Sequence, residues 1–114
     1  MPVPTPSEDE FAFFFECEPD VKDADVPWPY NTLSYTFQVG HDFISFTISP
    51  GYSSLSISLN QNGREMSRAD LNSFSSVEIE QERGREMLVV RFGVNAESSL
   101  WLTLKPEIRL AIEA

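Results

Sequence analysis

The chain has 114 residues, of which 41% are hydrophobic and 12% aromatic, and this length and composition predict one folded domain. Eighteen acidic residues against eight basic ones give a formal charge of −10, which exceeds what a small domain needs for solubility. A field of this sign repels nucleic acid and anionic lipid, so we expect neither DNA, RNA nor a membrane surface as a partner.

The amino terminus is rich in proline and acidic residues, which predicts an extended, proline-rich acidic lead over residues 1–10. The apolar run over residues 11–17 predicts a first strand, in which Cys17 packs as a small hydrophobe. This run is too short for the hydrophobic region of a secretion signal, and no basic residue precedes it. With one cysteine and no apolar stretch long enough to span a membrane, the sequence predicts a cytoplasmic protein without disulfide bonds.

Residues 18–31 predict a long acidic loop, because three prolines interrupt regular structure there. The first 31 residues hold eight acidic side chains and one lysine, so most of the net charge lies in this part of the chain. Aromatic rings among carboxylates are typical of an interface, where rings anchor a partner and charges steer it. The candidate partner-binding residues are Glu16, Glu18, Asp20, Asp23, Asp25, Trp28 and Tyr30. The alternative is that the two rings plug one end of the β-domain while the carboxylates stay in water.

From residue 33 onwards, apolar and polar residues alternate between glycines, which predicts antiparallel strands joined by hairpin turns. A Gly40-His41 turn sets the first two strands in a register in which the apolar residues meet on one face. In that register the pairs are Leu33 with Ile48, Tyr35 with Phe46, and Phe37 with Ile44, and the next strand adds Leu55, Ile57 and Leu59. An Asn62-Gly63 turn then predicts a further hairpin that brings Met66 opposite Leu59.

The opposite face of these strands is rich in hydroxyl groups: Ser34, Thr36, Ser45, Thr47, Ser49, Ser54, Ser56 and Ser58, with Gln38 and Phe43 among them. Such an uncharged face is typical of a solvated sheet surface. The alternative is a contact surface whose hydroxyl groups bind a partner or a ligand. Homodimerisation through this face, or through an exposed strand edge, also stays open.

Residues 67–74 predict the one short helix of the chain. Ser67 and Asp70 have the spacing of an N-terminal capping box, and Leu71 and Phe74 follow at helical spacing. We expect this helix to cover a sheet edge or one end of the β-domain.

The carboxyl-terminal third predicts a second set of antiparallel strands. Across a Gly84-Arg85 turn, Val77 pairs with Phe92, Ile79 with Val90, and Glu78 with Arg91. The last two strands pair Leu100, Leu102 and Leu104 with Ile112, Leu110 and Ile108. The sequence therefore predicts a single domain over residues 1–114, all-β and mainly antiparallel, with seven or eight strands in a sandwich or a barrel-like meander.

No residue pattern predicts catalysis. The single histidine, His41, falls in a turn, and a nucleophilic mechanism would need a nucleophile and an orienting group beside it. One His and one Cys cannot supply the four ligands of a structural zinc site. Glu78, Glu80 and Glu82 share one strand face, where they are typical of a protected sheet edge. We expect a protein that is not an enzyme and has no metal or cofactor.

These properties favour a small acidic protein that neutralises a basic protein partner. Many toxins that degrade nucleic acid have basic active-site clefts, in which an acidic segment can take the place of the phosphate backbone. We therefore hypothesise a bacterial immunity protein or antitoxin that blocks a toxin domain, with nucleases as one toxin class. The alternative is a carrier of an apolar ligand, with a pocket lined by phenylalanines: Phe11, Phe13, Phe14, Phe15, Phe37, Phe46 and Phe92.

Overall fold

The computed structural model describes residues 5–27, 30–82, 84–93, 95, 97–105 and 108–113, which form two antiparallel β-sheets, one α-helix and a short 3-10 helix (Pro50–Tyr52). The first sheet contains β1 (Asp20–Val21), β2 (Leu33–Val39), β3 (Asp42–Ser49), β4 (Ser54–Gln61) and β5 (Arg64–Asn72). The second contains β6 (Ser76–Glu82), β7 (Arg85–Phe92), β8 (Ser98–Lys105) and β9 (Arg109–Glu113). Each sheet is a meander, because its strands are ordered as in the chain. The predicted all-β, antiparallel class is confirmed.

The helix α1 (Glu8–Phe15) lies where the sequence predicted an extended lead and a first strand, so both predictions are wrong over these residues. A capping box starts it: the Ser7 hydroxyl accepts from the Glu10 amide at 3.2 Å, and the Ser7 amide donates to the Glu10 carboxylate at 3.0 Å. Its acidic first turn complements the helix dipole. The apolar run is therefore helical because Phe11, Phe14 and Phe15 recur at helical spacing and face the core together.

The core lies between the two sheets and is completed by α1. The Phe46 ring has its centre 5.3 Å from that of Phe11 and 5.1 Å from that of Phe15. Phe15 also stacks on Tyr35 at 5.5 Å. Burying one such ring stabilises the fold by roughly 1.5–3 kcal/mol. Phe11, Phe15 and Phe46, which the carrier hypothesis placed around a pocket, instead fill the core.

The register of the first three long strands agrees with the prediction. The β2–β3 pairs are Leu33 with Ile48, Tyr35 with Phe46, and Phe37 with Ile44, and β4 adds Leu55, Ile57 and Leu59 in the expected order. The hydroxyl residues consequently share the outer face of this sheet. Two of their cross-strand contacts are Ser34–Thr47 at 3.0 Å and Ser56–Asp70 at 2.6 Å.

The β4–β5 hairpin departs from the prediction at one residue. A bulge between Leu59 and Asn60 pairs Leu59 with Ser67 and leaves Met66 exposed, so the predicted Met66–Leu59 pair is wrong. The bulge has a clear physical reason. An unbroken register would turn Arg68 and Asp70 towards the core, whereas the observed one turns Ala69 and Leu71 inward.

The helix predicted over residues 67–74 is also wrong, because residues 67–72 belong to β5. Asp70 caps no helix there. Its carboxylate accepts hydrogen bonds from the Ser56 hydroxyl at 2.6 Å and from the Arg68 guanidinium at 3.1 Å, which lowers the pKa of Asp70. Pairing with β4 outweighs the weak local helix signal.

In the second sheet, the β6–β7 register is two residues from the prediction. Val77 pairs with Val90 and Ile79 with Leu88, and the predicted Glu78–Arg91 pair does not form because Glu78 lies opposite Val89. The observed register buries Leu88, which the predicted register would have placed opposite Gln81. The β8–β9 pairs Leu100–Ile112 and Leu102–Leu110 are as predicted. Among the described residues, the helix is too short to cross a membrane.

Candidate functional site

The acidic loop after β1 is organised by one buried side chain, Asn31, which is only 5% exposed. Its amide nitrogen donates to the backbone carbonyls of Asp23 at 2.6 Å and Val26 at 3.0 Å. Its amide oxygen accepts from the backbone of Asp23 at 3.3 Å and of Thr32 at 2.8 Å. A buried amide bonded at both ends fixes the course of the loop.

The predicted aspartates of this loop are exposed to solvent. Asp23 and Asp25 lie close together, because the Asp23 carboxylate accepts from the Asp25 amide at 3.1 Å. Asp20 lies apart from them in β1, opposite Ser34. Tyr30 is 74% exposed and therefore does not plug the end of the sandwich. Trp28 lies outside the described residues.

Glu16 and Glu18 lie at the carboxyl end of α1. Together with the loop that contains Asp23 and Asp25, they belong to the amino-terminal surface, which comprises the exposed side chains of residues 8–27 and 30–31. Glu16 has a left-handed backbone with φ of 56°, a conformation that is more readily adopted by glycine. Its carboxylate lies 3.3 Å from the Lys105 ammonium group. A strained backbone position is therefore occupied by an acidic residue whose side chain makes a specific contact.

An open cleft of about 650 Å³ separates α1 from the adjoining ends of β7 and β8. The side chains that line it are Asp9, Ala12, Phe13, Glu16, Cys17, Glu18, Glu86 and Lys105. Lys105 contacts the carboxylates of Glu16 at 3.3 Å and Glu86 at 3.7 Å, and these contacts raise its pKa. Four carboxylates against one lysine leave the lining of the cleft acidic.

Two residues of this surface, Asn31 and Glu86, were missed by sequence reasoning, and a third, Phe13, was expected in the lining of an apolar pocket. Phe13 is 71% exposed although its three phenylalanine neighbours in α1 are buried. The spacing of those neighbours carried the signal, since a helix that turns Phe11, Phe14 and Phe15 inward turns Phe13 outward. Glu86 has no local signal because its contact is with Lys105 in another strand. Asn31 bonds residues within eight positions of it, but no residue pattern there distinguishes a buried asparagine from an exposed loop residue.

The remaining candidates for chemistry lie elsewhere. His41 is exposed in the β2–β3 turn, and the acidic loop enters β2 at its other end. The described residues contain no group of three or more His, Cys, Asp or Glu side chains placed to hold a metal ion. Trp101 is half-buried on the outer face of the second sheet, opposite Val89 and Ala111. The amino-terminal segment therefore presents an acidic surface on which the rings of Phe13 and Tyr30 are exposed.

No protein-family model matches the chain, and no curated protein matches it. Its fold does match that of a solved structure, a chain of a contact-dependent growth inhibition toxin–immunity protein complex from Klebsiella pneumoniae 342. The match has a TM-score of 0.82 and covers 99% of this chain and 98% of that chain, at 17% sequence identity. Similarity at this level of identity establishes a common fold.

Proposed function

We propose that this protein is a bacterial immunity protein, which neutralises a toxin domain by binding a basic surface of that domain. The observation that carries the proposal is the common fold with a chain of a toxin–immunity protein complex, over almost the full length of both chains. The protein itself then performs no reaction. Its function is to bind and to block.

The immunity role suits this chain better than the toxin role because of its charge. A formal charge of −10 accelerates encounter with a basic partner and disfavours nucleic acid as a ligand. The charge also lies where rings are exposed, on α1 and the loop after it, with Phe13 and Tyr30 both more than two-thirds exposed. Aromatic rings surrounded by steering charges are the composition expected of a tight protein interface.

The toxin class that fits this surface best is an enzyme that acts on nucleic acid. Such an enzyme holds the phosphate backbone in a cleft of lysines and arginines, and a row of carboxylates can occupy the same cleft. The exposed residues of the amino-terminal segment that supply carboxylates are Glu16, Glu18, Asp20, Asp23 and Asp25. The complex would form in the cytoplasm, where the target of such a toxin lies.

The test is to co-express the carboxyl-terminal domain encoded by the gene immediately upstream, with and without this protein. We expect the domain alone to stop growth, and co-expression to restore it. The two proteins should also co-purify as a complex that salt weakens, because opposite charges drive their association. A harmless domain, or a toxic domain that this protein neither rescues nor binds, would contradict the proposal.

A Phe15→Ala variant provides the matched control for folding. It keeps every charge of the chain and removes one buried core ring. The variant therefore tests whether protection needs the folded surface or only the net negative charge. Rescue that survives loss of the fold would mean that acidity suffices, without a specific surface.

A further inference from the structure

The cleft beside α1 exposes an aromatic ring that the fold does not use. Phe13 is 71% exposed and lies at the edge of the cleft, whereas Phe11 and Phe14 on the same helix are fully buried. A lone exposed phenylalanine in a protein with a well-filled core is a candidate contact for a partner. Its ring face is open to a group that binds aromatic faces, such as a guanidinium ion.

The cleft also contains a buried acceptor that lacks a donor. One carboxylate oxygen of Glu86, Oε2, is inaccessible to solvent and has no hydrogen-bond partner among the described residues. The Lys105 ammonium group approaches it only to 3.7 Å, which is an ion-pair distance rather than a hydrogen bond. A buried, unsatisfied carboxylate oxygen is destabilising, and a donor from outside the chain would relieve that cost.

Lys105 is the cation that already lies in this acidic cleft. It is shared between Glu16 at 3.3 Å and Glu86 at 3.7 Å, and about two-fifths of its side chain is exposed. The contact with Glu16 joins two side chains that are about half exposed, where ion pairs contribute little to stability, and the contact with Glu86 is too long for a hydrogen bond. An incoming cation with better hydrogen-bond geometry can therefore replace it.

We propose that this cleft receives an arginine side chain of the toxin partner, whose guanidinium group stacks on Phe13 and donates hydrogen bonds to Glu86 and Glu16. The inference rests on the proposed function and names one contact by which this protein would bind the toxin domain. Arginine fits better than lysine for two reasons. Its planar group stacks on rings, and its forked donors can satisfy two carboxylate oxygens at once.

The first experiment measures the dissociation constant between this protein and the toxin domain of the upstream gene, for the wild type and for Phe13→Ala. We expect the variant to bind at least tenfold more weakly, mainly through faster dissociation, since anchors act on that rate. Met66→Ala is the matched control. Met66 is an exposed apolar side chain on β5 of the first sheet, whereas the cleft is lined by residues of α1, of the segment directly after it and of the second sheet. The Met66→Ala variant should bind within twofold of the wild type.

The second experiment removes the resident cation with Lys105→Gln. A merely structural lysine would leave binding unchanged or weaken it when lost. The proposal predicts the opposite: the association rate constant should rise and the dissociation constant should fall, each by about threefold, because the partner's arginine no longer competes with Lys105. Arg64→Gln removes the same charge at the β4–β5 turn and controls for net charge.

The outcomes separate the two claims. If the wild type neither protects cells nor binds the toxin domain, the proposed function fails, and this inference fails with it. If the wild type binds but Phe13→Ala binds equally well, the function stands and the inference is overturned. Loss of a self-association in Phe13→Ala, with unchanged toxin binding, would assign the cleft to a second copy of this chain and would also overturn it.

Discussion

The amino-terminal segment and the two meanders that follow it are stabilised in different ways. The meanders are built from backbone pairing between strands that are neighbours in the chain, with apolar residues alternating onto the inner face. The segment over residues 5–27 and 30–32 has almost no such pairing. It depends on three buried phenylalanine rings of α1 and on one buried amide, Asn31.

This difference separates the two sheets, which support the molecule, from the segment that we propose as the binding surface. Eight of the eighteen acidic residues lie in the first 31 residues, together with exposed rings and a strained helix cap. The meanders provide a base of paired strands, and the outer face of the first sheet consists mostly of uncharged hydroxyl residues. A surface held by a few tertiary contacts can change its exposed residues without disturbing the base.

The sharpest test of this comparison uses two phenylalanines two positions apart in α1. Phe15→Ala should lower the free energy of unfolding by about 3–5 kcal/mol, because it leaves a cavity among Tyr35 and Phe46. Phe13→Ala should change it by less than about 0.5 kcal/mol, because that ring is exposed. Urea unfolding of both variants measures the difference. Equal losses would mean that Phe13 belongs to the core.

Asn31→Ala is the next largest change and tests how the acidic loop is held. Removing the amide breaks its four hydrogen bonds and leaves partly buried backbone groups unpaired, so we expect a loss of about 1–3 kcal/mol. Amide exchange at residues 23–26 should accelerate more than in the strands. Asn72→Ala, at an exposed site at the end of β5, serves as the control. A rigid loop in Asn31→Ala would show that other contacts hold it.

Tyr35 ties α1 to the first sheet and makes that connection sensitive to alkaline pH. Burial, and then the nearby Glu8 carboxylate, raise the pKa of Tyr35 well above its ordinary value. The folded state therefore favours the protonated phenol, and its stabilising effect is complete below the unfolded pKa of about 10. This effect is lost as the pH rises further.

Tyr35→Phe should therefore flatten the fall in stability above about pH 10. It should also lose about 1 kcal/mol at neutral pH, since the phenol donates to the Glu8 carbonyl at 3.2 Å. Urea unfolding across the alkaline range gives both quantities. Tyr52→Phe, at a residue that is 80% exposed, should keep the wild-type slope. The same alkaline slope in Tyr35→Phe and the wild type would contradict the assignment.

The smallest effect on stability is expected from the charges of the loop. A variant with Asp20, Asp23 and Asp25 all changed to Asn should unfold within about 0.5 kcal/mol of the wild type, because these side chains are exposed. Its association with the toxin domain should be slower and less sensitive to salt. Changing Glu78, Glu80 and Glu82 to Gln removes the same charge from the second sheet and should leave the association rate closer to that of the wild type. If both triple variants associate equally fast, net charge acts without a specific surface.

The difference between the two meanders and the amino-terminal segment also explains which features could be predicted from sequence. In the first sheet, alternation and the Gly40-His41 turn determined the register, because hairpin pairing is local. The bulge at Met66 could not be predicted in this way, because it depends on keeping Arg68 out of the core. The β6–β7 register likewise depends on the burial of Leu88. These are tertiary effects that a short window of sequence does not contain.

The amino-terminal segment was predicted less well, and part of that was avoidable. Ser7 and Glu10 are a stronger capping box than Ser67 and Asp70, and the phenylalanine spacing after them is helical. The acidic and aromatic character of the loop was visible in composition. The roles of Asn31 and Glu86 were not visible. Glu86 contacts a lysine on another strand, and the burial of Asn31 against the backbone of its own loop has no signature in the residue pattern.

Hydrogen–deuterium exchange of the complex tests whether the amino-terminal surface, residues 8–27 and 30–31, binds the toxin domain. The measurement compares backbone exchange in this protein, free and bound to the toxin domain of the upstream gene. We predict new protection over residues 8–27 and 30–31, with little change in the turns at Asn62 and Gly63. Protection confined to those turns or to the outer hydroxyl face, with exchange over residues 8–31 unchanged, would contradict the account.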